Sequence, residues 1–593
     1  MLVLSWLLAA GLAVMPFAEV QTGQRGVCIT EWSGGERIEI PVVVVGTLPA
    51  SQPGRRAVLV KLSDPRFADA GVVAGMSGSP VYVDGKLVGA VAFGWNFARE
   101  PLAGVTPFED MQAIPVDAEN PGSSPLSLSA ASGVAENPLT KSSFGADGWE
   151  RQNALATLFS ALRGELELAS LAAAPLPSPQ PLPLATAGFP ESPWAEKLWR
   201  PLGLAPVPGG AETLPDSTLP QAGDMVAAVL VWGDAVLAAG GTLTARDGDT
   251  YYAFGHPLFA AGSVKMPAAR ARVLAIQSNY ALPFKIFTVG KPFGTFLADQ
   301  PAGMVAVAGK PPAGLPVTVT VASSQESKQF SFYLADVPLL QPLLAAFLAA
   351  TSLSYNQGPN ADLTVDMTVK ASFADGSAVS LRQNTAGADA VGRVATFLGA
   401  LVALLTNPPF PAPPLAALDV QLSRSPHVSA TILEAIPQRR KVRPGEALSV
   451  AVRLQPYRGP VERRVYSLVI PRNLPAGKLD LIVADGASFS DYALRSEKAQ
   501  AENFRQLCAQ LSRLEPSSHL VAALETREAG LSLPQGPLPG LPPSLSASYA
   551  SALTQGNVER LTTHLVTSQR WPYPWPLSGG IRVSLDVVTQ EAP

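Results

Sequence analysis

Cysteine is nearly absent from this chain: Cys28 and Cys508 are the only two among 593 residues. Two thiols so far apart in sequence can close one disulfide in an oxidising compartment, but they exclude a disulfide framework. Histidine is almost as scarce. His256, His427, His519 and His564 show none of the spacing a zinc site requires, so neither a metal nor an organic cofactor is implied. Charge is sparse too, at 15% of residues with a formal net charge of −4, and no basic patch stands out. That argues against nucleic acid as a partner, because phosphate binding needs clustered cations. Long apolar runs are missing beyond the start of the chain. "TFLGALVALLT" at 396–406 is too short to span a bilayer and reads as a buried helix.

The first 18 residues, "MLVLSWLLAAGLAVMPFA", are the exception. An apolar stretch of this length followed by small residues reads as a signal peptide, with an uncleaved N-terminal anchor as the alternative. The expectation is an exported protein: periplasmic, extracellular or envelope-associated. Membrane association would run through this segment.

Proline (57) and glycine (50) are abundant, which favours short strands and turns over long helices. Residues 19–116 carry β-rich runs such as "IEIPVVVVGTL" and "KLVGAVAFGW", with "DGK" at 84–86 as a tight hairpin turn. Residues 117–222 have the composition of a Pro/Ser/Ala linker enclosing one amphipathic helix at 153–174. A second β block covers 223–335, and a helix and strand extension covers 336–414. Short strands with turn signals at 415–490 suggest an immunoglobulin-like sandwich, and 491–593 should hold a helix near 497–515 followed by terminal strands. The fold class expected is mainly β.

The sharpest local signal is Gly75-Met76-Ser77-Gly78-Ser79-Pro80, just ahead of a hairpin. A serine hydroxyl becomes a nucleophile when a base takes its proton and backbone N–H groups hold the oxyanion. Glycines on either side would let the N–H groups of Gly75 and Ser77 converge on one spot and let an acyl group approach. An ordinary Gly/Ser turn has the same letters. The longer stretch "GVVAGMSGSPVYVDGKLVGAVAFGW", with its flanks over roughly residues 20–115, resembles the SpoIVB peptidase family. That resemblance implies a chymotrypsin-like double β-barrel and a serine endopeptidase acting on protein or peptide substrates. It also implies Ser77 rather than Ser79 as the nucleophile, with Gly75 and Ser77 N–H groups as the oxyanion hole.

No histidine precedes Ser77. In the family the histidine block, a "GTLT…GH" stretch, comes before the serine; here "GGTLTARDGDTYYAFGHPLF" comes after it, ending in Gly255-His256-Pro257. The resemblance thus implies His256 as the general base, with the two blocks in swapped order. Triads are defined by geometry, not by chain order. The family also places an aspartate shortly before the serine, which makes Asp64 the candidate to orient the imidazole. Asp69, Asp247 and Asp249 are further candidates, and turn formation is the plainer role for all four. A catalytically inactive scaffold that binds envelope proteins, or an envelope structural protein, is the alternative reading.

Overall fold

The computed structural model describes residues 12–116, 182–189, 199, 202–211 and 219–588, apart from short stretches at 53–54, 68–70, 96–99, 279–281, 357–360, 498–500, 529, 534–535 and 550–558. Most of the apolar start, the helix expected at 153–174 and Asp69 lie outside the described residues. The chain divides into two compact units. The first comprises Met1–Ala135, Ala172–Pro316 and Ser331–Leu344; the second comprises Glu136–Leu171, Val317–Phe330 and Ala345–Pro593.

The first unit opens with a closed six-stranded barrel: β1 (Arg25–Glu31), β2 (Arg37–Gln52), β3 (Arg55–Leu62), β4 (Pro80–Val83), β5 (Lys86–Gly94) and β6 (Leu102–Pro107), in the order β1-β2-β3-β6-β5-β4. Strict alternation explains it. Ile40, Val42 and Val44 on β2, and Val58, Val60 and Leu62 on β3, all point into one buried cluster with Val81, Val83 and Val105. Burying each such side chain contributes about 1.5–3 kcal/mol. The expected turn at 84–86 is present, with Asp84 at φ 50° and Gly85 at φ 76°. Those successive left-handed residues are what a two-residue hairpin matched to strand twist requires.

A second set of strands follows: β7 (Leu182–Ala187), β8 (Leu204–Ala211), β9 (Met225–Gly233), β10 (Val236–Asp247), β11 (Thr250–Ala253), β12 (Gly262–Gln277), β13 (Phe284–Gln300) and β14 (Gly303–Ala308). Six of them pair in a closed circuit, β9-β10-β11-β14-β13-β12 and back to β9, and β7 and β8 also link β10 to β13. One core cluster, drawn from β7, β8, β9, β10, β12 and β13, is built on small residues (Ala227, Ala238, Ala269, Ala271) closed around Met225 and Phe287. The fold of this unit is mainly β and is consistent with a chymotrypsin-like pair of barrels.

In the second unit, Leu363–Phe373 pairs with Ala378–Gly387 and with Leu415–Pro426, against which Val317–Ala322 lies parallel. Helix Ala390–Thr406 packs on this sheet. A four-stranded and a five-stranded sheet share one apolar core, including Val450, Leu454, Leu481, Leu524 and Leu585. This sandwich draws its strands from Ala430 to Val587, so it continues past the boundary expected at 490. The single helix expected at 497–515 is replaced by two, Gly486–Glu497 and Phe504–Leu511. Asn503 starts the second by accepting a hydrogen bond from the Gln506 N–H, a capping signal inside the expected span. Among the described residues, no helix is long and apolar enough to cross a membrane.

Candidate active site

The Ser77 turn leads into β4 at the edge of the first barrel. Gly75 (φ 98°) and Gly78 (φ 96°) both sit in the left-handed region where a side chain is strained. Space forbids one as well: a Cβ on Gly78 would lie 1.9 Å from the Thr242 carbonyl oxygen. Met76 is fully buried in the barrel core and anchors the turn from below. Gly78 N–H donates to the Val91 carbonyl (2.7 Å), Met76 N–H to Val73 (3.0 Å) and Ser79 N–H to Met76 (2.8 Å). Among the described residues the N–H groups of Gly75 and Ser77 have no partner. These are the two donors a carbonyl oxygen would need.

The second barrel grips this turn through the "GTLT" segment on β10. Thr242 N–H donates to the Ser77 carbonyl (2.7 Å), Thr242 Oγ1 to Gly75 (2.8 Å) and Thr244 Oγ1 to Gly78 (2.7 Å). The period-2 spacing of the two threonines places both hydroxyls on the face that meets the first barrel. The grip is reciprocal, because Thr106 Oγ1 on β6 donates to the Gly255 carbonyl at 2.7 Å.

His256 lies in the link from β11 to β12. Phe254 (φ 69°) and Gly255 (φ 67°) turn the chain just before it and Ala260 (φ 52°) just after. The imidazole is 5% exposed. Its Nε2 is 3.0 Å from Ser77 Oγ, and its Nδ1 is 2.7 Å from the Pro257 carbonyl oxygen. A carbonyl can only accept, so Nδ1 carries the proton and Nε2 presents a lone pair to the serine hydroxyl. Burial pushes the His256 pKa down to about 4, with the Pro257 carbonyl opposing and the Arg55 cation adding to the drop.

Asp64 is not brought to the imidazole. Its carboxylate accepts from the Arg66 backbone N–H (2.9 Å), Nε (2.9 Å) and guanidinium NH2 (2.7 Å), and the Arg66 side chain holds its pKa below the ordinary carboxylate value. An aspartate followed two residues later by a free N–H closes a local turn. Asp247 and Asp249 stand at the β10–β11 turn, away from both nitrogens of His256, which are already engaged. Ser79 is fully buried and donates to Thr30 Oγ1 (2.9 Å), leaving Ser77 as the hydroxyl that faces a base.

Two buried ionisable groups escaped the sequence reading. Lys285 is fully buried, donates to Thr30 Oγ1 at 2.8 Å and runs its methylenes under Gly75, 3.0 Å from where a Cβ would be. Burial lowers its pKa to about 8, against the pull of Glu31. Asp299 on β13, also fully buried, accepts from Leu258 N–H (2.7 Å), Phe259 N–H (2.8 Å) and Ala261 N–H (3.2 Å). Burial raises its pKa and these backbone donors oppose the rise. Backbone partners leave no trace in a motif. Among the described residues no cluster of His, Cys, Asp or Glu could hold a metal.

Residues 7–109 match the family model described as SpoIVB peptidase S55, a segment that contains Ser77 but not His256. The match supports a serine peptidase. No curated protein and no solved structure matches the chain.

Proposed function

We propose that this chain, whose residues 7–109 carry the SpoIVB peptidase S55 pattern, is an exported serine endopeptidase with Ser77 as nucleophile and His256 as general base. One observation carries the reading: the 3.0 Å approach of His256 Nε2 to Ser77 Oγ, between residues 179 apart on two different barrels. The serine hydroxyl passes its proton to Nε2 as Oγ attacks the scissile carbonyl. The unpartnered N–H groups of Gly75 and Ser77 take the oxyanion. The imidazolium then protonates the leaving amine, and the same nitrogen activates water to release the acyl group from Ser77. Asp64 is outside this constellation, since Arg66 holds its carboxylate. Export rests on the apolar start of the sequence.

Labelling with a fluorophosphonate probe tests the reading directly. Wild-type protein should label in a Ser77-dependent way, and Ser77→Ala and His256→Ala should reduce labelling at least about a thousandfold. A folded wild-type protein that does not label would favour the inactive scaffold instead.

A further inference from the structure

Among the described residues, no carboxylate touches the imidazole of the proposed pair, whose Nδ1 meets the Pro257 carbonyl instead. We propose that Asp299 acts on that imidazole at one remove, through the peptide bond between Pro257 and Leu258. This rests on the reading of Ser77 and His256 as a catalytic pair. The carbonyl and the N–H of a single peptide unit are used at once. Pro257 C=O accepts from His256 Nδ1 at 2.7 Å, and Leu258 N–H donates to Asp299 Oδ1 at 2.7 Å. The line therefore runs carboxylate, peptide, imidazole, serine, with the last step at 3.0 Å.

Three features argue that the carboxylate is charged and aimed. Each of its partners is a backbone donor, and together they favour the ionised form against the burial that raises its pKa. It is fully buried, so its field is weakly screened. The N–H groups it collects belong to Leu258, Phe259 and Ala261, the turn that follows the histidine, where Ala260 holds a left-handed φ of 52°. The carboxylate both fixes that turn and polarises the peptide, making the Pro257 oxygen a stronger acceptor. An ionised Asp299 thus holds the Nδ1–H tautomer and stabilises the imidazolium formed during attack. No proton leaves Nδ1 in the process. Asp299 is a positioning residue: it touches neither substrate nor Ser77.

The test is Asp299→Asn, which keeps shape and removes charge, with Asp64→Asn as the control. Fluorophosphonate labelling of Asp299→Asn should slow on the order of tenfold to a hundredfold, while Asp64→Asn keeps the wild-type rate. The acid limb of the labelling profile distinguishes relay from scaffolding. Loss of a carboxylate that favours the imidazolium moves the limb to lower pH. A turn merely loosened would admit water and move it up toward 6.5. A folded Asp299→Asn protein with wild-type rate and limb overturns the proposal, as does an upward shift. Should that variant not fold, nitrogen-labelled histidine spectra of the wild type decide. A downfield Nδ1–H supports the relay, and a neutral ring protonated on Nε2 overturns it. Failure of the wild type to label at all would sink the catalytic reading itself, and the relay with it.

Discussion

In the proposed mechanism the histidine must start neutral, and burial favours that for His256. With its pKa pushed down to about 4, His256 is unprotonated across the whole neutral range. Peptidase activity measured as kcat/KM should hold level from pH 8 down to about 5 and fall through an acid limb near 4. An exposed, ordinary histidine would place that limb near 6.5 instead. The same shift bears on folding. The folded-state value lies below the unfolded one, so the unfolded chain binds the extra proton first. The stabilisation is complete above about pH 6.5 and is lost as pH falls toward 4, amounting to about 3 kcal/mol. Urea midpoints taken at pH 7 and pH 4.5 should differ in that direction for wild type and far less for His256→Ala. A limb near 6.5 would mean that water reaches the imidazole.

At the scale of elements, the site is made by two turns held by the opposite barrel, so the glycines at the contact matter more than glycines in free turns. Gly78 and Gly85 make a matched pair. Both have positive φ, 96° and 76°, but a Cβ at Gly78 would meet the Thr242 carbonyl at 1.9 Å while one at Gly85 meets nothing within 4 Å. Gly85→Ala should cost about 1–2 kcal/mol from backbone strain alone. Gly78→Ala adds the clash and should cost more than about 3 kcal/mol while abolishing labelling, because Ser77 and His256 can no longer close to 3.0 Å. Equal melting temperatures for the two variants would show that the barrels do not grip at this point. This contact also marks how far the sequence could be read. The glycine-flanked Ser77 was legible because glycine encodes positive φ, whereas "GTLT" and His256 were reached only through the family resemblance, and the hydroxyl contacts of Thr242 and Thr244 emerge only in the fold. The alternating valines announced the first barrel. Asp299 was not visible, since its partners are peptide N–H groups that any residue supplies. Asp64 misled because Asp-Pro-Arg satisfies its carboxylate within two residues, a local solution that outcompetes a distant imidazole.

At the scale of the whole molecule, the two units each contain one cysteine, and both thiols are free. Cys28 lies in the first barrel with no exposure, and burial pushes its pKa up to about 12 despite the nearby Lys285 cation. Cys508 is partly exposed on the helix Phe504–Leu511 of the second unit. The thiolate is the reactive form, so these environments predict very different chemistry. In native protein at pH 8, Ellman's reagent should modify Cys508 readily and Cys28 at least about a thousandfold more slowly, at a rate set by opening of the first barrel. Addition of urea should then accelerate only Cys28, and the slope of that acceleration measures the surface the first unit exposes when it opens. Two thiols reacting at similar rates in buffer would mean that the first barrel opens without global unfolding and cannot hold Ser77 and His256 in register. A protein in which neither reacts until reductant is added would mean that the two are joined in a disulfide. Because Cys28 shares its cluster with Met76, directly beneath the serine turn, its protection is also a measure of how firmly that turn is held.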